Sequence, residues 1–253
     1  MSGGASGSDG AGFALARRLG HTVTDRLIPA LVPLVTGDRS RWLTELSGIS
    51  ARATVEVRSG TGKRLALFEN DLLCTHFGLS GPAVMDASRW LTHARDQDAG
   101  ATLHIGWLVG ESFDSVDSSL LGLGRTRVLT WLRERLPERL ARAVCTAHGV
   151  DPTLPGAQLG KEARRALAHA LVAMPVEIMR DRGFAHAEAT AGGVPLHEIV
   201  PGTMQSRMHD KLWLVGEILD VDGRIGGFNF QWAWSTGAVA GLAIARELRP
   251  PRS

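Results

Sequence analysis

Residues 212–241, LWLVGEILDVDGRIGGFNFQWAWSTGAVAG, gather the residue types that bind a ligand through backbone and carboxylate groups. A short apolar run at 212–215 ends in Gly216-Glu217, crosses an acidic loop with Asp220, Asp222 and Gly223, and reaches Gly226-Gly227 ahead of a long helical pattern. The order reads as strand, loop, helix. Glycines let a ligand approach the backbone closely, and a helix start offers unpaired N–H groups and the positive end of its dipole. An anionic or carbonyl-rich cofactor suits such a loop, although the same pattern also serves as a packing turn. Glu217, Asp220 and Asp222 form the best polar cluster of the chain. Carboxylates beyond the end of an α/β strand lie where open sheets bind ligands, and they accept hydrogen bonds from sugar-like hydroxyls; the alternative is a solvated acidic loop. Asn229 and Gln231, in the first helical turn, are placed to cap the loop or reach a ligand's ring edge. Gly237 and Gly241, with Ala233 and Ala240 nearby, predict close packing of that helix on a sheet, its stripe being core, with Trp232 and Trp234 on different faces.

Other candidates for chemistry are weaker. None of the nine histidines forms HExxH or a close ligand cluster with Cys and Asp, so no metal site is expected. Ser80 in Gly78-Leu79-Ser80-Gly81 falls short of a GxSxG elbow and reads as a turn. Cys74 and His76 alternate along one strand and share a face, without a third orienting group that the sequence identifies. The two cysteines, Cys74 and Cys145, lack CxxC spacing and read as reduced, packed thiols of a cytoplasmic protein.

The elements that must position these residues follow from texture. With 253 residues, 44% of them hydrophobic, the chain holds one large or two modest domains. A net charge of +2 with interspersed Arg and Glu gives no concentrated basic face, and the positive charges of the helical region lack aromatic platforms, so no nucleic-acid partner is expected. No apolar run approaches the ~20 residues that span a bilayer, and the start lacks a signal peptide's basic and apolar regions, so neither membrane nor export is expected. The Gly/Ser-rich residues 2–10 run into a helical stretch, AGFALARRLG, with Ser8 or Asp9 available as N-cap and Gly20 as stop. The proline-bounded run 29–35 reads as an edge strand. Period-two patterns at 53–58, 65–68, 72–75 and 101–109 predict a small antiparallel sheet or barrel, broken by a Gly-Pro turn and short helix at 78–91. Residues 112–179 read as an all-helical insert of amphipathic helices, and alternation resumes at 184–190 before a turn at Gly192-Gly193. A helical insert inside a β-rich domain, itself inside an α/β domain, explains this order.

The stretch TMQSRMHDKLWLVGEILDVDGRIGGFNFQWAWSTGAVAG resembles the C-terminal cofactor motif of the BaiN-like (YhiN-like) NAD(P)/FAD-dependent oxidoreductases. SGGASGSDGAGFALARRLGHTVTDRLIPALVPL, LLCTHFGLSGPAVMDASR and AEATAGGVPLHEIVPGTM resemble the same family. The resemblance implies the C-terminal portion of a glutathione-reductase-type FAD-binding domain (residues 1–28 and 208–253), with a β-barrel-like domain (29–111 and 180–207) carrying the helical insert (112–179). It implies that Gly216 and Glu217 meet the ribityl and phosphate region of FAD, that Asp220 lines the same loop, and that Gly226, Gly227 and Asn229 bring backbone N–H groups near the isoalloxazine. Gly3 and Gly4 resemble a glycine pair that packs close to the flavin, and Phe228 stands where the family usually has Tyr. The family begins with a strand, a GxGxxG turn and a helix that hold the ADP half of FAD, and the sequence lacks them, so an incomplete FAD-binding domain is expected.

The function implied is hydride transfer between NAD(P)H, FAD and a small organic substrate, with the protein orienting the cofactor and excluding water. Without a CxxxxC pair a disulfide-reductase mechanism is not expected, and no catalytic acid or base is assigned. The alternative is a truncated, non-catalytic remnant or partner-binding protein that does not hold FAD, with a sheet edge left uncovered.

Overall fold

The computed structural model describes residues 8–249. Gly3 and Gly4, expected at the flavin, lie outside the described residues. The helices are α1 (Ala11–Arg18), α2 (Pro82–Gln97), α3 (Phe113–Leu121), α4 (Val128–Arg133), α5 (Glu138–Ala147), α6 (Lys161–Ala173) and α7 (Phe228–Glu247). The strands are β1 (Ile28–Ala30), β2 (Leu34–Thr36), β3 (Ser50–Arg58), β4 (Arg64–Thr75), β5 (Gly78–Ser80), β6 (Thr102–Gly106), β7 (Met174–Val176), β8 (Ile178–Asp181), β9 (Ala189–Ala191), β10 (Ile199–Val200) and β11 (Gln205–Ser206). The chain divides into two compact units, Met1–Val32 with Arg182–Ser253, and Pro33–Asp181.

In the second unit every strand pairing is antiparallel, in the order β7-β6-β3-β4-β5-β2-β8. The outermost strands, β7 and β8, are separated in the chain by Glu177 alone, so the sheet must curl until its two edges meet. Alternation decides which face is inside: Ala53, Val55 and Val57 of β3 and Leu103 and Ile105 of β6 are buried. The helices of this unit share that core, with Leu91 of α2, Leu120 of α3, Leu132 of α4, Leu140 of α5 and Leu167 of α6 all in one apolar cluster with the strands. Helix starts follow local chemistry: Pro82 opens α2, and the Ser112 side chain accepts the Ser115 N–H at 3.1 Å to cap α3.

Several local expectations change. The run 29–35 is not one strand but two, β1 and β2, with Leu31 at φ 50 between them. The patterns at 65–68 and 72–75 are parts of one strand, β4. That strand ends at Thr75, so exposed His76 sits in the following turn against Phe77, and it does not share a face with buried Cys74. Ser80 belongs to β5 and pairs with Leu73. Residues 184–190 contain a 3-10 turn, Phe184–His186, before β9. In the helical region the Arg135 guanidinium lies 4.4 Å from the Trp131 ring centroid, and Arg165 lies 4.9 Å from Phe113, which stacks on His169; both rings are partly buried against the core. These pairs form through space between helices or along one turn, where linear charge patterning does not show them.

The first unit has a smaller core of Phe13, Ala16, Val23, Val194, Ile199, Met204, Leu214, Leu219 and Ala240. Residues 182–207 group with α1 and α7 here because β9 pairs with β1 and Val194 bridges Leu219. The expected strand at 212–215 is absent. Ser206 N–H reaches Leu212 O at 2.8 Å, Leu214 N–H reaches Met204 O at 3.1 Å, and Trp213 makes an isolated antiparallel bridge to Gln205. An apolar run becomes a parallel strand only with parallel neighbours, and among the described residues the sole parallel pairing is the Val194–Leu219 bridge. Among the described residues, no helix is long and apolar enough to cross a membrane.

Candidate functional site

Gly216 starts a short turn, Gly216–Ile218, at φ 70, and α7 holds both of its backbone groups. Its N–H donates to Thr236 Oγ1 at 2.9 Å, and its carbonyl accepts Trp232 Nε1–H at 3.1 Å. A methyl group at this position would already stand 3.4 Å from Ala233 Cβ, so the glycine seats the turn against the helix. Glu217 faces the other way. Its Oε1 accepts the Thr190 N–H at 2.6 Å, which ties the turn to β9. Gly193 lets the chain at 190–194 run flush against 218–220: Val194 N–H donates to Ile218 O and Asp220 N–H to Val194 O, each at 2.8 Å. The Asp220 side chain is exposed.

Gly226 and Gly227 have φ of 118 and 86, in the left-handed region that favours glycine, and Gly227 is the N-cap of α7 with no side chain capping it. Asn229 braces the acidic loop: its Oδ1 accepts the Gly223 N–H at 2.8 Å and its Nδ2 donates to Gly223 O at 3.2 Å. Gln231 turns along the helix to Ser235 Oγ at 2.8 Å. The expected packing through Gly237 and Gly241 does not occur among the described residues, where a Cβ at either position meets nothing within 4 Å. Ala240 of this stripe is in the core while Gly241 is exposed, and Trp234 and Phe230 of the same helix are exposed and stack on each other.

Glu217 lines a cleft of about 110 Å³ with Ser8, Gly10, Gly12, Phe13, Thr190 and Ile218. The start of α1 thus joins the site; its Gly-Ser-Asp-Gly sequence was the available signal, read only as a helix cap. Ala11 N–H is taken by Asp9 Oδ1 at 2.9 Å, with Gly10 rather than Ser8 or Asp9 as the N-cap residue.

A second constellation escaped sequence reasoning altogether. Ser206 Oγ accepts the N–H groups of Met208 and His209, at 3.0 and 2.9 Å, which occupies its lone pairs. Its own proton therefore goes to His21 Nε2, 2.8 Å away, and His21 Nδ1 carries its proton to Glu198 Oε2 at 2.7 Å. Thr22 adds its hydroxyl and its N–H to the same carboxylate. The array has the order of a Ser-His-acid triad, but Ser206, His21 and Glu198 are all buried and the serine oxygen has no lone pair left for attack. It is a brace. Burial pushes the Glu198 carboxyl up, yet the hydrogen bonds from Thr22 and His21 outweigh it and hold the group below its usual range. The brace fixes residues 21–24, and Thr24 then holds Gly193 from both sides, by its N–H to Gly193 O and its Oγ1 to Gly193 N–H, each at 2.9 Å.

A larger cleft, about 710 Å³, lies elsewhere, in the unit Pro33–Asp181, and contains none of the expected site residues. Several of its polar groups are engaged: Arg95 donates to Ala101 O and Ile178 O, Glu177 accepts the Arg39 N–H, and His148 Nδ1 bonds Val144 O. Size alone gives it no chemistry. Burial pushes the Cys74 and Cys145 thiols up to about 12, so neither is a nucleophile at neutral pH. Among the described residues no group of three or more His, Cys, Asp or Glu is arranged to hold a metal.

The family of the HI0933-like protein Rossmann domain matches residues 1–243. The chain belongs to this family. It is 31% identical over 243 residues to the 3-dehydro-bile acid delta(4,6)-reductase of Clostridium scindens, covering 94% of this chain and 58% of that protein. It is 31% identical over 241 residues to the ribosomal RNA dihydrouridine synthase of Haemophilus influenzae, covering 93% and 56%. The corresponding synthase of Escherichia coli is 30% identical over 230 residues, covering 89% and 54%. The chain thus spans a little over half the length of these curated relatives.

Proposed function

We propose that the protein is a flavin-dependent oxidoreductase that holds the flavin side of FAD through residues 216–229 and the cleft beside Glu217. The observation that carries this reading is the buried Thr190 hydroxyl, which has no hydrogen-bond partner among the described residues and belongs to a residue lining the same cleft as Glu217. Other buried polar atoms of the chain are unpaired as well, Thr36 Oγ1 and Trp107 Nε1 among them, so the reading draws also on the reductase name of one relative, which supports flavin chemistry. The glycines at the start of α7 fit as well, since they keep side chains away from the helix amides.

When bound, FAD supplies hydride transfer between NAD(P)H and an organic acceptor. The chain's part is positional. Gly226 and Gly227 with the first amides of α7 offer donors to a carbonyl-rich ring edge, Glu217 stays fixed by Thr190, and the Asn229–Gly223 bonds hold the acidic loop carrying Asp220 and Asp222. Phe13 and Ile218 form the apolar wall that excludes water. Gly3 and Gly4 join the flavin side in this reading. The finer division, an FAD-binding domain around a β-barrel-like domain with a helical insert, is part of the same proposal.

The substrate proposed is a small unsaturated organic molecule. A second reading, reduction of a uracil ring in ribosomal RNA, is favoured by the names of the two synthases and stands against the expectation of no nucleic-acid partner. Titrating the protein with FAD and then NADH or NADPH under anaerobic conditions tests the shared claim: a bound flavin band that bleaches is expected, and a colourless protein after excess FAD refutes it. Bleached flavin reoxidised by enones but not by unmodified ribosomal RNA supports the first reading, and the reverse supports the second.

A further inference from the structure

We propose that the cleft of about 710 Å³ in the unit Pro33–Asp181 binds an organic carboxylate with an apolar body, and that Arg95 receives the carboxylate. The inference goes beyond the flavin reading and does not rest on it, since the cleft draws on none of the residues assigned to FAD.

The cleft lies at the seam of the curled sheet. β7 pairs only with β6 and β8 only with β2 among the described residues, and residues 174–178, which join those two edges, line it. The 3-10 segment Asp38–Leu46, the second half of α5 and the end of α2 with residues 99–102 supply the other walls. Trp42, Leu46, Ala143, Met174, Val176 and Ile178 belong to the apolar core or pack against it, so the lining is largely apolar. Its volume is in the range of sites that bury most of a small organic molecule.

Arg95 is the group that this lining does not explain. It is only partly exposed. Its Nε–H donates to Ala101 O at 3.3 Å and its Nη1 to Ile178 O at 2.8 Å, which fixes the guanidinium between two segments. Both partners are neutral carbonyls. Among the described residues no carboxylate pairs with Arg95, and burial pulls its pKa below the ordinary arginine value with no acid to restore it. Nη2 has no acceptor there either, yet it keeps accessible surface in a residue that lines the cleft. The two carboxylates of the lining do not answer it: Glu177 Oε2 accepts the Arg39 N–H at 2.8 Å, and Glu45 is exposed to solvent. A cation drawn out of water without a counter-charge is costly, and proteins pair such groups. A guanidinium held by two carbonyls and open at Nη2 is pre-organised for a carboxylate oxygen, and the apolar walls select an acid whose body is apolar. One free guanidinium with two glutamates in the same lining disfavours a dianion such as phosphate.

Calorimetric titration of the full chain with naphthoate, octanoate and the neutral naphthalene methanol tests this, for the wild type, Arg95→Met, Arg95→Lys and Thr146→Trp, with ligand-free melting of each. The wild type is expected to bind an acid about tenfold or more tighter than the alcohol, the value of a charged hydrogen bond. Arg95→Met is expected to weaken the acids about 10- to 100-fold and to leave the alcohol within about twofold. Arg95→Lys keeps the charge without the planar fork, and its affinity for the acids should fall between those two proteins. Thr146→Trp, at an exposed position of α5, fills the cleft and should weaken acid and alcohol alike while melting with the wild type. Tighter binding of naphthoate identifies the body as aromatic and tighter binding of octanoate as aliphatic, and either agrees with the inference. A wild type that binds neither acid at millimolar concentration overturns it, as does one that binds acid and alcohol equally. Equal loss of acid and alcohol in Arg95→Met assigns the residue to holding Ala101 and Ile178 together and also overturns it. Should Arg95→Met fail to fold, unchanged acid binding in Thr146→Trp overturns the inference, and its loss there, with the wild type preferring the acid, upholds it. A wild type that binds naphthoate but no FAD removes the flavin reading and leaves this one standing.

Discussion

Gly193→Ala is expected to be among the most damaging single-methyl changes in the protein. An added Cβ would stand 2.7 Å from Ile218 O, 2.7 Å from the Leu219 carbonyl carbon and 2.8 Å from Asp220 N, all backbone atoms that no side-chain rotation can clear. The two segments joined by the Val194–Leu219 bridge must separate, which strains or breaks the two 2.8 Å hydrogen bonds on either side of it. Overpacking of this kind costs ~1–3 kcal/mol and each of the two weakened hydrogen bonds ~0.5–1.5 kcal/mol, so about 2–6 kcal/mol of destabilisation is expected. Gly237→Ala is the matched control. It adds the same methyl in the interior of α7 where nothing lies within 4 Å, and replacing a helical glycine should stabilise by ~0.5–1 kcal/mol. Urea unfolding followed by tryptophan fluorescence gives both values by linear extrapolation. A Gly193→Ala protein within about 0.5 kcal/mol of wild type would refute the close-approach argument, because surface substitutions without special contacts fall in that range. Flavin affinity should fall with Gly193→Ala as well, since the same separation displaces the segment carrying Glu217 and Asp220.

Further outcomes follow from the buried groups. Glu198 has a folded value held below its ordinary 4.5, so it contributes stability that is fully present above that pH and is lost as pH falls through the lower folded value. Wild type should therefore exceed Glu198→Gln in melting temperature near pH 7, and the gap should narrow as pH falls below that ordinary value; a gap independent of pH would remove the carboxylate from the brace. Cys74 and Cys145, with thiols pushed up to about 12, should react with a thiol reagent at pH 8 only after unfolding. Rapid labelling of either in the native protein would contradict their burial.

Sequence by itself determined the elements whose evidence is local. Alternation at Ala53, Val55 and Val57 and the Gly-Pro start of α2 depend on neighbours within a few positions, and they appear where the pattern put them. The glycines at 226–227 and the helix after them were legible for the same reason: positive φ at a helix start demands glycine wherever the chain lies. Strand identity at 212–215 was not, because an apolar run states its wish for burial without naming its partner, and tertiary structure gave it an antiparallel bridge to Gln205. The buried brace joins His21 to residues 177 and 185 positions away, a separation at which no spacing rule operates. Thr190 reads in the sequence as one strand residue among several. Only the folded chain places it beside Gly12 and Glu217 with its hydroxyl unpaired, because burial and the absence of a partner are properties of surroundings that three distant segments create together.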